Sequence, residues 1–302
     1  MGAVGEYALA PAPATSAWNW RDYVTLTKPR IMSLLVLTAA CAMIGASEGN
    51  PNLVRLLALV VGGGLACGSA SALNHVLDRD IDQVMGERTA SRPVASGRVS
   101  PTSAVIFATL LAVASFAIML TLDNLLAALL ALAGGTFYVV IYTLGLKRRT
   151  SENIVIGGAA GAIPVLSGWA AASGHLAAGA WYLFVIVLVW TPPHFWSLAV
   201  LLEDHYRAAK VPMLPVVKGR ATTARRVLLY TVLTVAVTLL PGVTGTFGAV
   251  YLACAGVLGA IFTGLAWRLW RSPTHQRAAV AFHYSLLYLA LLFVAVAVSA
   301  AL

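Results

Sequence analysis

Three polar residues recur at intervals of four in the stretch NHVLDRDIDQVMGERTASRP, residues 74–93. Asn74, Asp78 and Asp82 drift around an α-helix by only about 40° per step, so all three share one face. Carboxylate and amide oxygens are hard ligands that suit Mg²⁺, which often shares its coordination shell with the phosphate oxygens of a substrate. The spacing favours a magnesium site, and the plain alternative is a solvated, charged helix end.

Basic residues accompany these acids, in the same stretch or in later turns. They are Arg88, Arg92, Lys147, Arg148, Arg149 and Lys210. A carboxylate-bound metal with Arg and Lys around it is what a diphosphate ester requires, because the cations neutralise its oxygens and the metal stabilises the departing charge. Each basic residue in the 147–149 triplet can instead be a signal for membrane orientation.

A histidine in an apolar stretch is a further candidate. His194 lies in VWTPPHFW, directly after Pro192 and Pro193, which are predicted to disrupt a helix inside the membrane. A lone histidine on an apolar helix is often a hydrogen-bonded packing residue. Its place beside a predicted helix break, shortly before Glu203 and Asp204, makes a role in a site the alternative.

The elements that must position these residues are membrane helices. The chain has 302 residues, of which 60% are hydrophobic and 10% charged, whereas a soluble domain carries roughly 25% charged residues. A helix needs about 20 apolar residues to cross a bilayer. Nine such spans are predicted, at 31–49, 53–77, 102–121, 124–146, 153–173, 177–202, 227–246, 248–267 and 283–301.

The placement of Lys and Arg predicts how these spans are oriented. Counted on alternate sides of the nine spans, one side holds Arg55 alone and the other holds all remaining basic residues. The positive-inside rule makes the crowded side cytoplasmic, with the N-terminus inside and the C-terminus outside. We predict a flexible segment at 1–20, without the pattern of a signal peptide, followed by one transmembrane domain at 21–302. The long cytoplasmic connections 78–100 and 203–226 are predicted to cap the site.

An internal repeat adds two residues to the candidates. PVASGRVS at 93–100 matches PVVKGRAT at 215–222, and the same shift lays Asp82 on Asp204 and Arg88 on Lys210. Polytopic membrane proteins often contain such repeats and place their sites between them. The chain is therefore predicted to consist of two similar four-helix halves and a ninth helix, although chance similarity of loop composition is an alternative.

Longer motifs make the chain similar to a known superfamily. They are LTKPRIM (26–32), NHVLDRDIDQVMGERTASRPV (74–94), YTLGLKRRTSENIVIGGAAGAIPVLSGW (142–169), TPPHFWSLAV (191–200) and YRAAKVPMLPVVKG (206–219). On these motifs the sequence resembles the UbiA-type intramembrane prenyltransferases and, within them, the branch of protohaem IX farnesyltransferases, or haem O synthases. The resemblance implies an all-α polytopic membrane protein, with nine transmembrane helices around a central cavity, in the cell membrane.

The resemblance also implies a reaction. A farnesyl group passes from farnesyl diphosphate to a vinyl group of protohaem IX (haem B, a substrate and not a prosthetic group), and water addition gives haem O. One or two Mg²⁺ ions are the implied cofactor, with Asn74, Asp78 and Asp82 as ligands. A haem A synthase or a terminal-oxidase assembly factor is an implied partner, and nucleic acid is not.

Specific residues then receive expected roles. The catalytic group is expected to be Asn74, Asp78, Asp82 and Asp204. The expected diphosphate-binding residues are Arg88, Arg92, Lys147, Arg148, Lys210 and Lys28, and His194 is expected to bind haem.

One departure from the superfamily pattern leaves alternatives open. A second Asp-x-x-x-Asp usually ends the sixth span, but here that place offers Glu203, Asp204, His205 and Tyr206, with a Leu where the first Asp would fall. A second metal ion is therefore in doubt. A prenyltransferase for an aromatic quinone precursor and a phosphatidyl-group transferase are other enzyme interpretations. A membrane transporter is the alternative of another class, and it would place its acids near the bilayer centre.

Overall fold

The computed structural model describes residues 19–302, apart from the side chain of Arg88. Within these residues the chain is helical and contains no strand. In chain order the helices are α1 (Trp20–Thr27), α2 (Pro29–Ala46), α3 (Leu53–Leu77), α4 (Arg79–Val84), α5 (Glu87–Ala90), α6 (Pro101–Leu122), α7 (Leu125–Thr136), α8 (Asn153–Ser173), α9 (Ala178–Leu201), α10 (Glu203–Ala208), α11 (Leu214–Val243), α12 (Ala249–Arg271) and α13 (His275–Ala301). A π-helix, Phe137–Leu146, continues α7.

Nine of the helices in the described part of the chain are long and apolar enough to cross a membrane. They are α2, α3, α6, α7 with its π-helix, α8, α9, α11, α12 and α13. The predicted all-α architecture with nine spans is therefore confirmed. The predicted flexible segment 1–20 falls almost entirely outside the described residues.

Local sequence signals explain where several of these helices begin. The Ser100 side chain caps α6 by accepting a hydrogen bond from the Ser103 N–H, and Pro101 occupies the first helical turn. Asn52 caps α3 and Thr274 caps α13 in the same way. These caps satisfy backbone N–H groups that would otherwise lack partners at the helix N-termini.

Two spans begin earlier than their apolar runs do. Helix α11 begins at Leu214 and not at 227, and α13 begins at His275 and not at 283. The first turns of both helices carry charged and polar residues. Hydropathy alone therefore places the start of the span at the first apolar residues, several residues after the helix itself begins. The segment 203–226, predicted as a loop, is consequently α10 and the first turns of α11.

The predicted helix break at Pro192 and Pro193 is wrong, because α9 runs unbroken from Ala178 to Leu201. The side chain of Ser197 donates a hydrogen bond to the Pro193 carbonyl at 2.7 Å, and Thr191 donates to the Val187 carbonyl at 2.8 Å. The Thr234 hydroxyl of α11 donates to the Val189 carbonyl at 3.0 Å, and Pro193 has no N–H to reach this carbonyl. A neighbouring helix thus satisfies a carbonyl that proline leaves free, as membrane helices with proline allow.

The two halves repeat at the level of the backbone. Each half contains four spans, with the short helices α4 and α5 or α10 between the second and the third span. Gly97 and Gly219, which the repeat PVASGRVS/PVVKGRAT places in equivalent positions, have φ values of 77° and 76°. A positive φ is costly for residues with a side chain, so glycine at both positions fits a shared backbone turn. The predicted pair of similar halves plus a ninth helix is confirmed.

The largest hydrophobic core lies among α2, α8, α9, α12 and α13. It joins the two halves, because α2 belongs to the first half and α8, α9 and α12 to the second. The turns at one end of this bundle hold the polar residues described next.

Candidate active site

The acids of the first half lie where α3 ends. Asp78 is the C-cap of α3, and α4 begins at the next residue. The Asp78 N–H donates to the Asn74 carbonyl at 2.9 Å, and the Asp82 N–H donates to the Asp78 carbonyl at 2.8 Å. The helical hydrogen-bond pattern, from residue i to i−4, continues across Asp78 into α4. Asn74, Asp78 and Asp82 therefore stay on one face. All three are buried, at 3%, 1% and 2% exposure.

Asn74 and Asp78 form one hydrogen-bonded unit with two lysines. Asn74 Nδ2 donates to Asp78 Oδ2 at 2.7 Å, and to the hydroxyl of Thr143 at 3.3 Å. Lys28 Nζ donates to Asn74 Oδ1 at 2.9 Å. Lys147 Nζ donates to Asp78 Oδ2 at 2.5 Å. The predicted residues Lys28 and Lys147 therefore lie beside the predicted acids.

The π-helix Phe137–Leu146 brings Thr143 into this unit. Its hydrogen bonds run from residue i to i−5, and the Thr143 hydroxyl follows the same pattern by donating to the Tyr138 carbonyl at 2.9 Å. Tyr142 fits over Gly157, where a Cβ would lie 2.4 Å from the Tyr142 ring. π-Helices are rare and frequent at functional sites. Thr143 was missed from the sequence, although it lies one helical turn before Lys147.

Asp82 is paired from another direction. Arg92 Nη1 donates to Asp82 Oδ1 at 2.5 Å, and the Arg92 side chain is 32% exposed while that of Asp82 is 3% exposed. Arg92 lies in the turns after α5. Arg88 lies on α5, but its side chain is outside the described residues, so its predicted role remains a prediction.

At this site, two buried carboxylate oxygens remain without a hydrogen-bond partner among the described residues. They are Asp78 Oδ1 and Asp82 Oδ2. Arg148 Nη2 lies 3.8 Å from Asp78 Oδ1, too far for a hydrogen bond. Buried polar atoms are normally satisfied, so two unsatisfied anionic oxygens on one face fit a bound cation such as Mg²⁺.

The fit applies to a metal that shares its shell with a ligand. Among the described residues, no group of three or more His, Cys, Asp or Glu side chains could hold a metal ion by itself. Asp78 and Asp82 supply two oxygens, and Asn74 Oδ1 already accepts from Lys28. Mg²⁺ prefers six oxygen ligands, so water and a phosphate-bearing substrate would have to complete the shell.

The Lys28 ammonium has an unusual environment between α1 and α2. Its backbone has φ 48° and ψ 56°, a left-handed conformation uncommon for residues with a side chain. Burial, together with the nearby charges of Arg92 and Lys147, lowers the pKa of Lys28 from its usual value to about 7, against the opposing charges of Asp82 and Asp78. A partly buried amine held beside two cations is a site that favours an anion.

Arg148 forms the outer edge of the site. Its guanidinium binds Asp80 with two hydrogen bonds of 2.7 Å and donates to the Leu77 carbonyl at 2.8 Å. The hydrogen bond from Arg148 lowers the pKa of Asp80 to about 2. Two clefts adjoin this pair, one of about 490 Å³ lined in part by Arg79 and Thr143, and one of about 240 Å³ lined in part by Lys210.

The structure places Asp204 differently from the sequence repeat. Helices α4 and α10 follow the C-caps of α3 and α9 and have the same length, with Arg79 and Glu203 as their first residues. In this register Asp204 is equivalent to Asp80, and the equivalents of Asp78 and Asp82 are Leu202 and Tyr206. The register predicted from the loops, which lays Asp82 on Asp204, is therefore wrong at this helix, because the connection between α10 and α11 differs in length from its counterpart.

Exposure agrees with this register. The Asp80 and Asp204 side chains are 62% and 75% exposed, and Asp204 pairs with Arg207 at 3.2 Å. Tyr206 is buried, like Asp82, and burial raises the pKa of its hydroxyl to about 12. The structure therefore does not bring Asp204 to the Asn74–Asp78–Asp82 face.

Glu203 is the buried acid of the second half. Its two carboxylate oxygens accept from Arg207 and from Arg220, both at 2.5 Å. Unlike Asp78 and Asp82, Glu203 has no unsatisfied oxygen. Glu203 therefore links α10 to α11, and both of its oxygens are already bound by arginine.

The two capping segments meet at a glycine. Gly86, before α5, has φ 122°, and a Cβ on it would lie 2.8 Å from Cδ2 of His205 on α10. Lys210 follows α10 with a φ of 54° and is exposed beside the smaller cleft. The segment 203–226 thus contacts the segment 78–100 through His205. Among the described residues, Lys210 forms no hydrogen bond or ion pair with Asn74, Asp78 or Asp82.

His194 lies within the bundle, on α9. Its Nδ1 is 2.7 Å from the hydroxyl of Ser285 on α13, and its ring stacks on Trp190 and Phe282. The predicted packing contacts of this histidine are therefore present. Ser285 was missed, because it lies 91 residues away in sequence and in a stretch without a motif.

Comparison with known proteins identifies relatives along nearly the whole chain. A model of the UbiA prenyltransferase family matches residues 35–298. A protoheme IX farnesyltransferase from Gloeobacter violaceus is 52% identical over 278 residues, covering 92% of this chain and 91% of the relative. One from Ectopseudomonas mendocina is 48% identical, covering 92% of both chains.

The match to Thermus thermophilus has a different extent. Its protoheme IX farnesyltransferase is 49% identical over 298 residues, which is 99% of this chain but 49% of the relative. The chain thus spans about half the length of the Thermus relatives that it matches.

Solved structures share the fold at low sequence identity. A digeranylgeranylglyceryl phosphate synthase superposes with a TM-score of 0.76 at 18% identity, covering 93% of this chain and 98% of that one. A UbiA homologue from Archaeoglobus fulgidus bound to GPP and Mg²⁺ has a TM-score of 0.70 at 15% identity, covering 91% and 99%.

Proposed function

Because the chain belongs to the UbiA prenyltransferase family, we propose that it transfers a farnesyl group from farnesyl diphosphate to a vinyl group of protohaem IX. Addition of water completes the hydroxyethylfarnesyl side chain, giving haem O and diphosphate. The choice of donor and acceptor is supported by relatives of about 50% identity that are named protoheme IX farnesyltransferase.

One observation carries the proposal within the structure. Two buried oxygens, Asp78 Oδ1 and Asp82 Oδ2, have no partner among the described residues and lie amid basic side chains. The surrounding cations are Lys28, Arg92, Lys147 and Arg148. A diphosphate joined to a metal ion would satisfy both the unpaired carboxylate oxygens and the concentrated positive charge.

The residues have separate roles in this proposal. Asp78 and Asp82 hold Mg²⁺, and Asn74 positions Asp78 and Lys28 through its amide. Lys28, Lys147, Arg92 and Arg148 bind the diphosphate oxygens, and Arg88 joins them from α5. When bound, Mg²⁺ supplies Lewis-acid stabilisation of the negative charge on the leaving group.

The reaction begins when the bond between C1 of the farnesyl chain and the diphosphate oxygen breaks. The bond electrons leave with the oxygen, and the fixed cations stabilise that developing charge. The terminal vinyl carbon of protohaem attacks the allylic cation and forms the new C–C bond. The cation left beside the porphyrin ring takes up water, which loses a proton to give the hydroxyl group.

The position of the acids disfavours the transporter alternative. Asp78 caps α3 at its end, whereas a transport site would lie near the bilayer centre. We further propose that this end faces the cytoplasm at the cell membrane, as the distribution of Lys and Arg predicts. The apolar product then passes to a haem A synthase or to a terminal-oxidase assembly factor.

A product assay tests the proposal. Membranes containing the protein are incubated with protohaem IX, farnesyl diphosphate and Mg²⁺, and the extracted haems are analysed by mass spectrometry. We expect a haem heavier by a farnesyl group plus water, and we expect EDTA to abolish it. Prenylated 4-hydroxybenzoate without a new haem would overturn the acceptor, and the absence of both products would overturn the function.

A further inference from the structure

We propose that Nε2 of His194 binds the iron of the acceptor porphyrin, and that Ser285 on α13 fixes the imidazole in the form that can do so. The inference rests on the proposed protohaem acceptor. It names the place where that acceptor is held and a positioning residue, Ser285, on the ninth helix.

The hydrogen bonds of Ser285 determine which nitrogen of His194 carries the proton. Ser285 Oγ lies 2.6 Å from the Phe282 carbonyl, which can only accept, so the hydroxyl hydrogen points at that carbonyl. The same Oγ lies 2.7 Å from His194 Nδ1. Because the hydroxyl has one hydrogen, Nδ1 must donate to it. A neutral imidazole protonated at Nδ1 has its lone pair on Nε2.

Neighbouring rings fix the orientation of this lone pair. The His194 ring stacks on Trp190, with centroids 4.4 Å apart and planes at 14°, and on Phe282, with values of 4.9 Å and 26°. Trp190 Nε1 also donates to the Ser285 carbonyl at 2.9 Å. Trp190 and Phe282 therefore cover the ring of His194, and Ser285 binds its Nδ1. The edge that carries Nε2 is left for a ligand.

Nε2 has no hydrogen bond to any described residue, and His194 is partly exposed although its neighbours Trp190 and Ser285 are buried. An acceptor nitrogen left bare on an oriented ring is the arrangement of a haem-ligating histidine, in which a second hydrogen bond sets the tautomer and raises the basicity of the ligand. A histidine with a packing role alone would have both nitrogens satisfied or the bare one enclosed by apolar side chains.

The depth of His194 fits the reaction. His194 precedes the α9 C-cap, Leu202, by two helical turns, which is about 12 Å along the axis. Leu202 is the counterpart of Asp78 in the first half, so an iron ligated by His194 would lie further into the membrane-spanning part of the bundle than the diphosphate.

Haem titration of the full-length protein in lipid nanodiscs tests the inference without farnesyl diphosphate. Ferric protohaem is added to wild type, H194A, S285A and S285T, and absorption and electron paramagnetic resonance spectra are recorded. His283→Ala is the matched control, because His283 lies on α13, the helix of Ser285, but is exposed. We expect a histidine-ligated haem in wild type, H283A and S285T, and loss of that signature in H194A.

Ser285→Ala tests whether Ser285 acts through His194, because a purely structural role of Ser285 would not change the spectrum of the bound haem. We expect haem affinity to fall about 10- to 100-fold, as for other partners of metal-ligating histidines, together with an altered ligand-field spectrum. An unchanged spectrum in H194A, or an affinity in S285A equal to that of wild type, would overturn the inference. Wild type that makes haem O without a histidine signature would overturn it and leave the proposed function standing. Wild type that shows the signature but prenylates only another acceptor would overturn the function.

Discussion

Lys28 and Asn74, 46 positions apart in the chain, are joined by a hydrogen bond of 2.9 Å between the lysine Nζ and the amide Oδ1. This contact ties the junction of α1 and α2 to the end of α3. Asn74 also binds the carboxylate of Asp78, so a single amide connects a partly buried ammonium to that acid. The diphosphate would therefore be held by residues from separate parts of the first half, and each part can be tested by itself.

Replacing Lys28 with methionine tests its role in donor binding. A hydrogen bond to a charged group contributes about 1.5–3 kcal/mol, so we expect KM for farnesyl diphosphate to rise roughly 10- to 100-fold. The measurement is initial-rate kinetics at fixed protohaem. Lys218→Met is the control, because Lys218 is exposed. A KM within about twofold of wild type in K28M would contradict direct contact with the diphosphate.

The variants Asp82→Asn and Asp204→Asn distinguish two alignments of the halves. The sequence repeat aligns Asp82 with Asp204, whereas the helix ends align Asp80 with Asp204. Both acids were predicted to be catalytic, but Asp82 is buried with an unsatisfied oxygen and Asp204 is exposed. We expect D82N to lose about 100- to 1,000-fold in turnover, comparable to removing an electrostatic stabiliser of a transition state. We expect D204N to stay near wild type. Equal losses in the two variants would show that the register of α10 has been misassigned.

Gly86→Ala tests the contact between the two capping segments. Alanine is strained at a φ of 122°, and its Cβ would meet the His205 ring. We expect faster proteolysis after α4 and a lower kcat/KM, because α5 and Arg88 follow directly. The double variant G86A/H205A removes the clash but not the strain, so it should recover part of the activity. No recovery would mean that backbone strain alone causes the defect.

Asp123, between α6 and α7, predicts a pH dependence of stability. Both of its oxygens lack a partner among the described residues, and burial raises its pKa to about 6, against the opposing effect of Arg55. A carboxyl group whose pKa is higher in the folded state stabilises the fold at low pH, and this contribution is lost as pH rises from about 4 through 6.

Asp123→Asn should therefore stabilise the protein at pH 7.5, by an amount on the order of 1 kcal/mol, and change little at pH 4. Thermal unfolding in detergent at the two pH values measures this difference. Glu48→Gln is a suitable control, since Glu48 is exposed in another connection. A variant that is less stable than wild type at pH 7.5 would show that Asp123 has a stabilising partner.

Hydropathy and charge were enough to predict the architecture. The nine apolar runs correspond to nine helices in the described chain, and the boundaries at 53–77 and 153–173 coincide with α3 and α8. The early starts of α11 and α13 were not predictable from apolar runs, because a helix that extends into water keeps its hydrogen bonds without apolar side chains. Proline in α9 was misread for a related reason, since helix-breaking strength measured in water overstates its effect in a packed membrane helix.

The candidate site was predicted where its residues are close in sequence. Asn74, Asp78 and Asp82 follow from helical periodicity, and Arg92 follows from its proximity to them. Contacts made across the bundle were not predictable from spacing, as with Thr143 beside Asn74 and Ser285 beside His194. The position of Asp204 on the exposed side of α10 was not predicted either. The connections after α4 and α10 differ in length, so the similar loop sequences align the two short helices incorrectly.

The repeated backbone of the two halves carries different chemistry at its equivalent ends. At equivalent positions the first half has Asp78 and Asp82, and the second has Leu202 and Tyr206. One backbone arrangement therefore presents an anionic end in one half and an apolar, aromatic end in the other. Such a pair of unlike ends suits a reaction, like the proposed one, that joins two unlike molecules.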